Sequence, residues 1–195
     1  MYEIPITVEV NGQSYAIRNK GDFRMVLDCF VALNDVELEK KERICCALII
    51  FYDGFTDVTD IQQFGNSLEE AVKKMYWFFN CGRENEFEQE LPKLIDWERD
   101  AQLISSAINK VAGKEIRMES YLHWWTFMGY YIAIGQSALS TVVSIRHKII
   151  NQKKLEKWER EFKRENPHYF AWDARTMEQK ELDDLAKNLW NNGSN

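Results

Sequence analysis

From Tyr121 to Ile134 the chain reads Tyr-Leu-His-Trp-Trp-Thr-Phe-Met-Gly-Tyr-Tyr-Ile-Ala-Ile, apolar or aromatic almost all the way round a helix. Trp124, Phe127 or Met128, and Tyr131 form one helical stripe, and Tyr121, Trp125, Met128 and Ile132 form a second beside it. An amphipathic surface helix needs one stripe. Two adjacent stripes require a helix that is either covered on most sides or keeps a face for a partner. The run is too short to cross a bilayer, which takes about 20 apolar residues. The fold must therefore supply protein cover for a very apolar helix, and no membrane association is expected.

A chain of 195 residues has the means to do so. At this size roughly 70% of the unfolded surface is buried on folding, enough for a core without disulfides or metals. Hydrophobic and charged shares of 45% and 29% are ordinary for a globular protein, so the seven Trp stand out, six of them from Trp97 onward. The net charge of −6 argues against a dedicated nucleic-acid binder. The start, Met-Tyr-Glu-Ile-Pro, lacks the pattern of a secretory signal, and Cys29, Cys45, Cys46 and Cys81 form no paired framework. A reducing cytoplasm is expected, with the cysteines acting as small core hydrophobes.

Ile4 to Val10 and Ser14 to Arg18 flank Asn11-Gly12, the strongest short-range signal for a hairpin with a tight turn. Helical periodicity follows. The spacing predicts helices over about 22–33 and, from an Asn34/Glu37 capping box, to about 52. A third, capped by Ser67 and Glu70, ends at Cys81-Gly82. Residues 83–95, acidic and holding Pro92, read as a linker. Further helices are predicted over about 96–112, 118–134, 138–150 and 154–165, the last stopped by Asn166-Pro167, with a final one after Thr176. The fold class is mainly α, a multi-helix domain with an N-terminal β-hairpin. Its expected divisions are 1–82, the linker 83–95, an aromatic-rich helical region 96–167 and a tail 168–195, all of which one domain could hold.

No chemistry assembles from these residues. His123 lies one turn after Glu119, but only His147 and His168 remain as further imidazoles, so no metal site is expected. Ser120 and Ser137 lack a nucleophile elbow, and the glycines are too dispersed for a phosphate loop. No catalytic residue, cofactor or metal is assigned, and the chain is not expected to be an enzyme. What remains are candidate contact residues. Trp124, Trp125 and Tyr131 on the aromatic helix read first as core and second as a partner-facing patch. Trp158 and Phe162 join Leu155 on one stripe of a Lys- and Glu-rich helix, and Leu182, Leu185, Leu189 and Trp190 line the terminal one, which suits docking on this chain or another.

Several segments, in order, resemble a family of tail assembly chaperones from long-tailed phages of Gram-positive hosts. They are Tyr2-Glu3-Ile4-Pro5 with Asn11-Gly12, Asp22-Phe23-Arg24, Phe51-Tyr52, and Asp96-Trp97-Glu98 with Asp100. Glu115-Ile116-Arg117, Tyr121 to Phe127, Ile145-Arg146, and Lys154-Leu155 with Lys157-Trp158-Glu159 complete the set. The resemblance covers about 2–167 and leaves the tail outside. It implies a protein encoded between the tail tube and tape measure proteins, acting in the host cytoplasm and absent from the mature virion. Such a protein would bind and solubilise the tape measure protein and help recruit tail tube subunits. Masking of apolar helical surface, with a homo-oligomer supplying valency, would be the physical means. The alternative is a nucleic-acid-binding phage regulator using 146–164, where eight Lys or Arg face three Glu.

Overall fold

The computed structural model describes residues 3–83 and 94–171, and these form a mainly helical protein with an N-terminal antiparallel hairpin. The hairpin pairs β1 (Thr7–Val10) with β2 (Gln13–Ala16), Val10 facing Gln13 across a two-residue loop. Asn11 and Gly12 sit at φ 50° and 72°, the positive pair that a strand-matched tight turn demands. The helices are α1 (Phe23–Asn34), α2 (Lys40–Phe51), α3 (Val58–Ile61), α4 (Leu68–Phe79), α5 (Ala101–Ala112), α6 (Trp124–Ile132), α7 (Ala138–Ile150) and α8 (Lys157–Glu165).

The chain divides into two compact units that do not follow sequence order. The first holds the described residues up to Arg83 together with 111–133; the second holds 94–110 and 134–171. The aromatic helix α6 thus groups with the N-terminal half rather than with the rest of 96–167. The physical reason is that Phe23 of α1 stacks on Phe127 with ring centres 4.6 Å apart, and Trp124 stacks on the same ring.

In the first unit, α1 buries Phe23, Met25, Val26 and Cys29, α2 buries Ala47, Leu48 and Phe51, and α4 buries Ala71, Met75, Phe78 and Phe79. Val8 and Val10 of β1 are buried too, so the hairpin lies on helices, and the Asn11 N–H donates to Glu70 on α4 at 3.1 Å. Arg18 fastens the far side. Its guanidinium donates to the carbonyls of Ile49 and Ile50, acceptors that the end of α2 leaves without a helical partner, and to those of Tyr52 and Phe55 in the loop beyond. In the second unit α5 buries Leu103, Ile104, Ala107 and Ile108, and α7 buries Leu139, Val142 and Ile145.

Several expected boundaries shift, each for a local reason. Helix α2 starts at Lys40 because its capping box is Glu39 with Glu42; Asn34 instead closes α1, its side chain donating to Phe30 O. Ser67 makes no capping bond, since Gln62–Ser67 is already a 3-10 turn leading into α4, and Glu70 serves the hairpin. Asp96 accepts from the Glu98 and Arg99 N–H groups and so organises a turn, delaying α5 to Ala101. Helix α4 ends as expected near Cys81-Gly82. The Gly82 N–H reaches Trp77 O and the Cys81 N–H reaches Phe78 O, while both residues take positive φ.

Candidate partner-binding surface

The aromatic helix begins at Trp124 rather than at Met118 because His123 caps it. His123 Nδ1 accepts the Trp125 N–H at 3.0 Å, so it carries no proton, and Nε2–H therefore donates to Pro5 O at 3.0 Å. The ring is buried against Phe78. Burial pushes its pKa below the ordinary value, outweighing the upward pull of the Pro5 carbonyl and the Asp22 charge. Upstream, Met118 closes a short 3-10 turn, Ile116–Met118, which Glu115 caps through the Arg117 N–H.

Asp22 joins this corner to the start of α1. Its carboxylate accepts the Arg24 N–H as a helix cap, the Arg24 guanidinium, and the Leu122 N–H at 2.8 Å, one hundred residues away. The Phe23 N–H returns a bond to Leu122 O, and the Tyr121 hydroxyl donates to Lys20 O. Three consecutive residues, Asn19, Lys20 and Gly21, take positive φ to bring Asp22 there. A β-carbon on Gly21 would lie 2.6 Å from Phe78 and 2.9 Å from His123, so that position has no room for a side chain.

An equivalent knot holds the second unit. Arg146 on α7 makes a two-pronged ion pair with Asp100, at 2.6 and 2.9 Å, and spends its other donors on Leu94 O and Tyr169 O. Both side chains are essentially inaccessible. Glu159 is buried as well, completing the cap of α8 and accepting from Lys148 Nζ at 2.7 Å. That bond, first among its causes, holds the Glu159 carboxyl below the usual range despite burial.

The candidate contact residues are thereby sorted. Trp124 is 1% exposed, its indole N–H spent on Phe79 O, and it is a core residue rather than a contact. Trp125 is half-buried against Trp77, with its N–H on Phe78 O, and Tyr131 is half-buried. Trp158 does not join a buried stripe: it stands 55% exposed, because α8 turns Glu159 inward to reach Lys148, while Phe162 is half-buried against Phe170. Leu182, Leu185, Leu189 and Trp190 lie outside the described residues, as does most of the expected linker. Of the basic segment 146–164, Arg146 and Lys148 are committed to internal ion pairs. The strongly exposed apolar side chains include Met118 (83%), Val36 (69%) and Ile132 (67%). Only Ile132 could have been suspected from periodicity, on the second stripe of the aromatic helix. Met118 falls in a turn where helical spacing carries no information.

Among the described residues no group of His, Cys, Asp or Glu could hold a metal ion, and no helix is long and apolar enough to cross a membrane. Several of the segments that carry the resemblance meet in these knots: Pro5, Asp22 to Arg24 and Tyr121 to Trp125 in the first unit, Asp100, Arg146 and Glu159 in the second. No curated protein and no solved structure matches the chain. One family model does, over residues 1–171, and the chain accordingly belongs to the bacteriophage Gp15 protein family.

Proposed function

We propose that this phage protein is a non-enzymatic tail assembly chaperone. It binds the tape measure protein in the host cytoplasm, keeps it soluble, helps recruit tail tube subunits, and is left out of the mature virion. The observation that carries the reading is how the resemblance residues are used. The buried polar groups among them, in Asp22, His123, Asp100, Arg146 and Glu159, are spent on internal bonds. What the surface offers instead includes isolated apolar side chains, Met118, Val36, Ile132 and Trp158. Such groups can grip the apolar stripe of a client helix, and self-association multiplies weak grips into avidity. The regulator using 146–164 has a reduced basic surface, since two of its cations are committed.

The test is co-expression with the tape measure protein of the same phage. The reading expects the tape measure to move into the soluble fraction and to co-purify with this chain, and Trp158→Ala with Met118→Ala to weaken the capture. If neither solubility nor co-purification changes, the proposal is wrong. Binding of duplex DNA that falls steeply with added salt would favour the regulator instead.

A further inference from the structure

The hairpin leaves one edge of β1 open. Its ladder pairs Val10 with Gln13, Val8 with Tyr15, and Ile6 with Ile17, whose N–H donates to Ile6 O at 2.9 Å. The backbone groups of Pro5, Thr7 and Glu9 therefore point away from β2. His123 takes the Pro5 carbonyl, closing the edge at that end. Thr7 and Glu9 are exposed, and among the described residues their N–H and C=O groups have no partner. The other strand is less open, because Ala16 O accepts from the Asp53 N–H and Ile17 bridges to Tyr52. Ile4 and Ile6, each 49% exposed, flank the open edge. An exposed strand edge is a template for another strand.

We propose that this edge pairs with the same edge of a second copy, β1 antiparallel to β1 about a twofold axis through Val8. In that register Thr7 of each copy faces Glu9 of the other, and each such pair exchanges two backbone hydrogen bonds, four in all. The side chains complement one another. Both lie on the outer face, where each Thr7 hydroxyl can donate to the opposing Glu9 carboxylate. A two-stranded hairpin becomes a four-stranded sheet, and an isologous contact of this kind closes on itself at two copies. The valency invoked above rests on self-association of this kind. The pairing itself is argued from strand geometry, so its test uses the chain alone.

The experiment measures molar mass by sedimentation equilibrium across a dilution series up to about 1 mM, the weak end for a small specific interface. The mass is expected to double with concentration, and Thr7→Pro, which removes an outward N–H but no bond of the hairpin's own ladder, to hold it at one copy. Ser14→Pro, the same change on the outer edge of β2, should leave the doubling intact. A second measurement covers a proline variant that fails to fold. Mixing Thr7→Cys with Glu9→Cys chains under oxidant should give a disulfide between positions 7 and 9 of different copies, identified by peptide mass. A chain that stays single throughout, a doubling that survives Thr7→Pro, one that Ser14→Pro abolishes, or absence of the 7–9 crosslink would each overturn the proposal.

Discussion

Replacing Arg146 by Met removes the most heavily used side chain of the second unit. Five donor contacts disappear together: two to Asp100, one to Leu94 O and two to Tyr169 O. Asp100 has no side-chain exposure, so its charge is stranded with only the Asp96 N–H for company. Breaking a buried pair at one partner costs about 3–5 kcal/mol, against a total stability of roughly 5–15 kcal/mol for a domain. Arg146→Met should therefore leave the second unit partly unfolded in mild denaturant. Adding Asp100→Leu removes the stranded charge but also the acceptor of the Asp96 N–H, and the Leu94 and Tyr169 carbonyls still lack Arg146, so the double variant should regain about 1–3 kcal/mol without reaching the parent. Urea unfolding followed by circular dichroism measures both. Arg164→Met, an exposed cation on α8, should move stability by no more than about 0.5 kcal/mol. An Arg146→Met variant within about 0.5 kcal/mol of the parent, or a double variant less stable than the single one, would refute the account of this pair.

Three further outcomes are expected. His123 has a folded pKa below its ordinary value of 6.5, so the unfolded chain takes up the proton first. Its contribution is complete above 6.5 and is lost as the pH falls through the folded value. Unfolding measured between neutral pH and about pH 5.5 should show a steeper loss for the parent than for His123→Asn, which keeps a cap without titrating. Gly21→Ala combines a positive φ with collisions against Phe78 and His123 and should cost about 2–5 kcal/mol. Gly12→Ala, at φ 72° with open space around it, should cost only about 1 kcal/mol by thermal unfolding. Trp124→Ala should lose about 3–5 kcal/mol by the same measurement, whereas Trp158→Ala should be within about 1 kcal/mol of the parent.

What could be read from the sequence was whatever depends on near neighbours. Asn11-Gly12 specifies its turn through two positive φ values, and α7 runs over the 138–150 predicted for it, its Ser137 cap and Ser140 lying only three residues apart. Polar partners far apart in the chain were not legible. Nothing local says that Asp22 answers Leu122, that Arg18 closes α2, or that Arg146 finds Asp100. Those partners decide where helices start and which residues are interior. Trp158 and Glu159 show this most directly, because hydrophobicity places the tryptophan inside while the Lys148 ion pair draws in the carboxylate. At Trp124 the first of the two sequence readings, core, is the one its burial supports, though the ring pattern alone could not choose between them. A helix rich in rings gives no hint of which ring faces in until Phe23 and Phe79 are known to lie beneath it.

The excursion of the chain between Arg83 and Val111 has a consequence for synthesis on the ribosome. Phe23 and Phe79 emerge well before Trp124 and Phe127, the rings that cover them. At typical elongation rates that interval lasts on the order of seconds, during which the nascent first unit carries an open apolar notch. The second unit is begun before the first is shut, yet the first has its full sequence by residue 133 and can close while 134–171 are still to be made. The notch is thus a transient of synthesis, open from the emergence of Phe79 until Trp124 and Phe127 arrive to cover it.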